Sequence, residues 1–381
     1  MIVAMIGPYP LEPNYVYGGI ESVLSTLAPA LSNLPEIEHL YILSFNNISK
    51  VTISQKTEKL TIYRYPAQKK LKTITRSFLE RRLISKIINE ISPDIVHGQG
   101  IGLMGHLAIS TFQNVVITVH GIPFNEVKSN LEKGFADSVM LSFSNDTIKQ
   151  VLNKAKIVIS TSNYDKNLLR DQVRGKHFLI PNPVDPIFFS QEQLENAEPY
   201  ILCAGVMVRR KNLEGLLSAF SKIAEHAGVN LHLVGPQPDL SYKNEILSII
   251  DQLDSPIRER VKLFGFISNA ELADQIRYST LVTLFSWEET RPTIISQAMA
   301  SGKPIIASNV GGISDMVKHG NNGFLVSAGD VDGLASIIQA LLDSRELRME
   351  MGLRNYQVAK NEFDSKIVAQ KTLDCYKLIY Q

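Results

Sequence analysis

The sequence predicts an α/β protein built from two Rossmann-like domains, and three observations predict it. Short apolar runs such as Ile2–Ile6, Val115–Val119 and Tyr200–Ala204 end in glycine or polar loops and lead into segments of helical periodicity. The stretch Leu281–Gly312, LVTLFSWEETRPTIISQAMASGKPIIASNVGG, compresses that pattern into one strand–loop–helix–strand unit closed by two glycines. At 381 residues the chain is long for one domain, and a proline-rich break at Pro181-Asn182-Pro183 divides it. The expected domains are 1–184 and 185–362.

Composition narrows the class. Hydrophobic residues make up 44% and charged residues 20%, the balance of a soluble globular protein. A net charge of +1 gives no global field for a nucleic acid or an acidic polymer. Cys203 and Cys375 cannot build a disulfide framework, so a reducing, cytoplasmic compartment is expected. No apolar run reaches membrane-spanning length, and no basic segment precedes the first apolar one. No metal-ligand cluster or internal repeat is seen.

In the first half, Ile2–Ile6 reads as a buried strand ended by Gly7-Pro8. A polar loop, Tyr9–Tyr17, then reaches Gly18-Gly19 and an amphipathic helix from Ile20 to Ser32. Glycines between a strand and a helix let backbone N–H groups approach a phosphate. Leu40–Ser44 and Leu60–Tyr63 are further strands. Lys69–Ile91 is a basic segment with an apolar stripe of Ile74, Phe78, Leu83, Ile84, Ile87, Ile88 and Ile91. It reads as a helix packing on the sheet, or, through Lys69–Lys86, as a docking surface for anionic lipid or a phosphate-bearing acceptor. Asp94–His97 is the next strand, and Gly98, Gly100, Gly102 and Gly105 open the turn behind it. His120 ends the strand Val115–Val119, where ligands of parallel sheets bind. Glu132–Lys154 reads as helix, Ile157–Ser160 as strand, and Ser162 or Asn163 caps the helix that follows.

The second half repeats the plan. Tyr200–Ala204 and Gly205 lead through Arg209, Arg210 and Lys211 into a helix, Leu213–Ala224. Three cations beside a helix N-terminus oppose its dipole and so suggest an anionic ligand. His232–Val234 and Val261–Phe264 are strands, Phe266 and Ile267 follow a glycine turn, and Asn269 caps the helix Glu271–Tyr278. In the central unit Glu289 precedes a helix, Thr293–Ala300, whose first N–H groups favour anions. Pro292 suits that helix start, and Gln297 lies two turns beyond Glu289. Helices at Asp315–His319, Asp330–Leu342, Arg345–Lys360 and Phe363–Tyr380 complete the chain.

The pattern Ser286-x-x-Glu289, seven residues, Gln297, then Ala298-Met299-Ala300-x-Gly302-x-Pro304 resembles the donor-site signature of retaining glycosyltransferases of family 4. The resemblance covers nearly the whole chain and implies the GT-B architecture, two facing domains with a deep cleft and the last helix, 363–381, returning to the first. It further implies transfer of a sugar from a nucleoside-diphosphate donor, a UDP-sugar, to a glycan, lipid-linked or small-molecule acceptor hydroxyl. Configuration would be retained, without a metal ion or another cofactor. Roles carry over by motif. His120, followed by Gly121, would lie near the donor sugar, and Glu289 would meet its hydroxyls. Lys211 would hold the diphosphate, and Thr293 and Ile294 would offer it N–H groups. Gly18 and Gly19 match the N-terminal loop, and Phe266 and Ile267 the base-binding loop.

Two departures stand out. Gln297 replaces the family's second glutamate and gives up charge-assisted hydrogen bonds of roughly 1.5–3 kcal/mol each. Val206 replaces an arginine, and Arg209 or Arg210 is expected to supply that charge. These changes keep open a binding or scaffold protein of the same descent, and a nucleotide-sugar epimerase shares the architecture. A dinucleotide dehydrogenase is disfavoured, because no Gly-x-Gly-x-x-Gly follows the first strand.

Overall fold

The computed structural model describes residues 1–67, 78–122, 135–192, 194, 196–224 and 228–380, and it divides into two compact units. Met1–Pro13, Gly19–Pro183 and Ser365–Gln381 form the first unit. Asn14–Gly18 and Val184–Asp364 form the second. Each unit is a sheet covered on both faces, so the amino-acid alternation of each strand feeds two cores.

The first sheet has the order β3-β4-β2-β1-β5-β6-β7-β8. Its strands are β1 Ile2–Ile6, β2 His39–Asn46, β3 Thr52–Thr57, β4 Leu60–Pro66, β5 Ile95–Gln99, β6 Val115–Val119, β7 Ile157–Ser160 and β8 Lys176–Leu179. All pair in parallel except β3, which runs antiparallel to β4 at the edge. Val3 and Met5 point into one core, shared with Leu24, Leu31, Val368 and Tyr376; Ala4 and Ile6 point into the other, shared with Ile84, Ile88 and Val151. The helix Ser365–Lys377 thus packs on the first unit, beside the helix Gly19–Ser32.

The second sheet has the order β11-β10-β9-β12-β13-β14, all parallel. Its strands are β9 Tyr200–Ala204, β10 Asn230–Val234, β11 Val261–Gly265, β12 Leu281–Leu284, β13 Ile305–Ser308 and β14 Phe324–Val326. Strand order reverses between β9 and β12, which makes their carboxyl ends the switch point where doubly wound sheets bind ligands. Ile201 and Cys203 face one core, and Leu202 and Ala204 the other.

Several expectations are corrected. The edge strand β3 and the helices Leu103–Thr111 and Leu240–Asp251 were not anticipated from the sequence. Ser268, not Asn269, caps the helix Asn269–Tyr278, because its side chain accepts from Glu271 N while Glu271 reaches back to Ser268 N at 2.8 Å. The short helix near 315 is Ile313–Met316. Phe78 leaves the apolar stripe: it is 51% exposed at the start of the helix Phe78–Ile91, with Arg81 over its ring. Of the proposed lipid contact, Lys69, Lys70, Lys72 and Arg76 lie outside the described residues, as does Ile74. No helix among the described residues is long and apolar enough to cross a membrane.

Candidate active site

In the second unit the switch point is built by glycine. Gly205 (φ +141°) and Gly235 (φ +142°) end β9 and β10 so close together that a Cβ on Gly235 would stand 1.9 Å from the Gly205 oxygen. Only glycine permits that approach. The chain leaving Gly205 then winds into a short 3₁₀ turn, Arg209–Lys211. Asn212, held at φ +50°, caps the helix Leu213–Ser221 by accepting from Gly215 N at 3.2 Å. This turn sends Lys211 back toward Gly205, along a small pocket lined by Val206, Val234 and Leu213.

Across the switch point, the loop after β12 supplies the carboxylate. Lys211 Nζ meets Glu289 Oε1 at 2.5 Å, and Arg210 Nη1 meets Glu289 Oε2 at 3.0 Å. Ser286 Oγ donates to Oε1 at 3.0 Å, and Arg210 also donates to the Glu288 carbonyl at 2.6 Å. Trp287 N donates to the Arg210 carbonyl at 2.8 Å, which ties the two loops backbone to backbone. Behind them Gly311 (φ +51°) and Gly312 cradle the Glu289 carbonyl, with Gly312 N donating to it at 3.1 Å. Glu289 is only 5% exposed. Burial pushes its pKa up, but Lys211 and Arg210 outweigh that and hold it below the ordinary value.

The sequence-predicted residues separate accordingly. Lys211, Arg210 and Glu289 are brought together. Arg209 is not: it pairs with Glu245 at 2.7 Å and lies over the Tyr242 ring. Of the two arginines considered for the charge missing at Val206, Arg210 is the one beside Lys211. Pro292 stands one position before the helix Thr293–Ala300, without a capping side chain, so the N–H groups of Thr293 and Ile294 are not taken by a cap. Gln297, buried at 6% exposure, sits one turn from them on the same side. Phe266 is 40% exposed and receives Tyr15 and Tyr17 edge-on at 5.8 and 5.7 Å, while Ile267 packs partly into the core. The strap carrying both tyrosines, Asn14–Gly18, is pinned by Asn269 N donating to the Asn14 carbonyl. Gly18 ends that strap with open space where a Cβ would be, and Gly19 begins the first helix of the other unit.

In the first unit the switch point lies between β1 and β5. His120, at the end of β6, shares a 2.7 Å hydrogen bond between its Nε2 and Gln99 Oε1 at the end of β5. Gly7 leaves room for Gln99, since a Cβ on Gly7 would come within 2.8 Å of the Gln99 Cβ. Burial lowers His120 to about 4, so its imidazole is neutral near pH 7. His97 lies behind it, bonded to Thr118 Oγ1 and the Tyr376 hydroxyl at 2.7 Å each; burial, and to a lesser extent His120, lowers it to about 3.

Sequence reasoning missed Gln99, Asn212 and Trp287. Gln99 was hidden in a glycine-dense stretch, and Asn212 carried its signal only as a polar residue ahead of an apolar helix. Trp287, the protein's one tryptophan and 45% exposed, sat inside the quoted pattern at a variable position. Among the described residues no group of three or more His, Cys, Asp or Glu side chains is placed to hold a metal ion.

Comparison with known proteins gives family matches over both halves of the chain. Residues 185–358 match the family model for glycosyl transferases group 1, and residues 17–188 match that for Glycosyltransferase Family 4. N-acetyl-alpha-D-glucosaminyl L-malate synthase of Bacillus anthracis is 34% identical over 171 residues, 45% of this chain and 42% of that protein. The match thus spans less than half of that relative's length. Among solved structures, sucrose-phosphate synthase from Thermosynechococcus elongatus superposes with a TM-score of 0.84 at 23% identity, over 100% of this chain and 99% of that one. Anabaena HepE in complex with UDP-glucose gives 0.73 at 17% identity, covering 99% of each.

Proposed function

Because both halves of the chain are glycosyltransferase domains and the fold is GT-B, we propose that the protein transfers a sugar from a UDP-sugar to an acceptor hydroxyl with retention of anomeric configuration. The observation that carries this reading is the Lys211–Glu289–Arg210 cluster at the switch point of the second sheet, beside an uncapped helix start. Charge develops on the leaving diphosphate in the transition state, and preorganised cations and helix N–H groups stabilise it there. Lys211 and Arg210 supply the charge, and Thr293 and Ile294 supply backbone donors. Glu289 holds both cations in place before the donor arrives, so little reorganisation is left to the reaction itself.

The retention proposed here comes from the family resemblance, and Glu289 bears only on its route. Its two oxygens are engaged by Lys211, Arg210 and Ser286, so it is not a free nucleophile for a covalent sugar–enzyme intermediate. The reading is therefore a front-face displacement. The acceptor oxygen bonds to the anomeric carbon on the side that the leaving group vacates. The bond from that carbon to the diphosphate breaks, and the acceptor proton passes to the released diphosphate. His120, neutral and oriented by Gln99, serves as a hydrogen-bond partner for a sugar hydroxyl rather than as a general acid. Gln297 contacts the ribose as a neutral donor and acceptor. The loop at Phe266 and Ile267, with Gly18 beside it, receives the base. The choice of UDP is supported by the HepE relative, whose structure contains UDP-glucose.

Trp287 stands two residues before Glu289, and its fluorescence should report donor binding. Titration with UDP-, GDP-, ADP- and dTDP-sugars, alongside thermal melts, tests the proposal. UDP-sugars are expected to change the Trp287 signal and raise Tm; a ligand at about 100 times its Kd adds roughly 2.7 kcal/mol. If none of the four classes shifts either signal, the donor site is not functional and the proposal fails.

A further inference from the structure

Gln99 is the last residue of β5 and stands opposite Thr118 in the parallel register with β6, so its side chain lies at the carboxyl end of the sheet beside His120. It is only 1% exposed. Its stem lies so close to Gly7 that a Cβ there would come within 2.8 Å of the Gln99 Cβ and 2.9 Å of its Cγ. One end of the amide is used and the other is not. Oε1 is 2.7 Å from His120 Nε2, while Nε2 of Gln99 is buried with no hydrogen-bond partner.

That asymmetry argues against a structural role for the amide. A buried N–H without a partner is destabilising, and leucine would fill nearly the same volume without it. What glutamine adds here is Oε1. A carbonyl oxygen only accepts, so His120 Nε2 must carry the hydrogen in this bond. Burial keeps the ring neutral, with its pKa lowered to about 4, and a neutral imidazole carries a single N–H. Nδ1 is therefore left as a bare acceptor, and among the described residues His120 has Gln99 as its hydrogen-bond partner and no group on Nδ1. His97 does not compete for the ring, because its own nitrogens are taken by the Tyr376 hydroxyl and Thr118 Oγ1.

We infer that Gln99 is a positioning residue that fixes His120 as the Nε2–H tautomer, so that Nδ1 accepts a hydrogen bond from a hydroxyl of the transferred sugar. This rests on the transferase reading for the ligand; the tautomer does not depend on it. The direction of the bond selects a class of sugar. A hydroxyl at that place has a hydrogen to give, whereas a carboxylate or an ether oxygen would face the Nδ1 lone pair and be refused.

Nitrogen-15 NMR of the histidine rings near neutral pH tests the tautomer, with His120 identified by the signals missing from His120→Asn. The wild type is expected to carry hydrogen on Nε2 and none on Nδ1, and Gln99→Leu to gain Nδ1–H. Calorimetric titration with UDP-glucose, UDP-N-acetylglucosamine and UDP reads the consequence. Gln99→Leu should weaken the UDP-sugar that binds by about tenfold and leave UDP unchanged, since only the sugar meets His120. The same variant should melt no lower than the wild type, because its unpaired amide N–H is gone. Nδ1–H in the wild type, an unaltered ring in Gln99→Leu, or unchanged UDP-sugar affinity would overturn the inference. So would equal losses for UDP and UDP-sugar with a lowered Tm, which would make Gln99 a structural residue. If neither UDP-sugar binds the wild type, the donor reading fails for them, and the ring spectra still decide what Gln99 does.

Discussion

Glu289 carries a negative charge to a position only 5% exposed, and the two cations flanking it make that burial tolerable. Removing one member of a buried ion cluster leaves the others uncompensated, at a cost of about 3–5 kcal/mol. Glu289→Gln should therefore lower Tm in the second unit even though the side chain keeps its shape. The same variant leaves Lys211 and Arg210 facing each other without a carboxylate, so an added anion has more to neutralise. Pyrophosphate is expected to raise the Tm of Glu289→Gln by more than it raises that of the wild type. Equal stabilisation of both proteins would mean that the anion does not seat at these cations. The pH dependence has a fixed sign as well. Since Lys211 and Arg210 hold the folded pKa below its ordinary value, Glu289 contributes stability above that value and loses it as pH falls through the folded one.

Among the elements, the glycine-closed turns differ sharply in what they demand. Gly311 follows β13 at φ +51°, and a Cβ there would stand 1.7 Å from the Glu289 carbonyl oxygen. Gly311→Ala should thus displace the Glu289 loop, lowering Tm by several degrees and weakening UDP-sugar binding together. Gly18 has nothing within 4 Å of its virtual Cβ, so Gly18→Ala is expected to leave Tm unchanged. A Gly311→Ala protein with wild-type melting and binding would refute this account of the turn. Both glycines look alike in the sequence, and this is where legibility ran out. Strands such as β1, β6, β9 and β12 were legible because four or five apolar residues between turns have few other uses. β3, TISQKT, is exposed along its length and exists only by pairing with β4, so no periodicity announced it. The helix Leu103–Thr111 hid behind glycines, one of which, Gly105, packs so tightly that a Cβ would meet the Gly100 oxygen at 2.5 Å. At the site, Lys211 and Glu289 were legible singly from the family pattern. Their bond joins residues 78 apart, and it exists because β9 and β12 are neighbours, a strand order that no local signal encodes.

At the scale of the whole molecule, the two units hold different ionisable groups and should respond differently to acid. The first holds His97, buried, and His120, half-buried, as neutral rings lowered to about 3 and about 4, and burial also lowers His39 and His177. In the second, His232 is lowered, again chiefly by burial. A histidine whose folded pKa lies below its unfolded value of about 6.5 takes up its proton more readily when unfolded. Its contribution is complete above that value and is lost as pH falls toward the folded pKa. At about pH 4.5, two units below the unfolded value, His97 and His120 together remove on the order of 5 kcal/mol. Asp165 works the other way in the first unit: burial raises its pKa, so acid relieves a penalty there. The lowered carboxylates of the second unit, Glu289 and Glu271, lose their contribution only as pH falls below about 4.5. The net expectation is a fall of roughly 10–20 °C in the melting of the first unit between pH 7 and about pH 4.5, at 2–4 °C per kcal/mol. Calorimetry reads both units, while Trp287, the one tryptophan, reads the second alone. If the Trp287 transition falls as far as the calorimetric one over that range, the buried histidines do not govern the acid response.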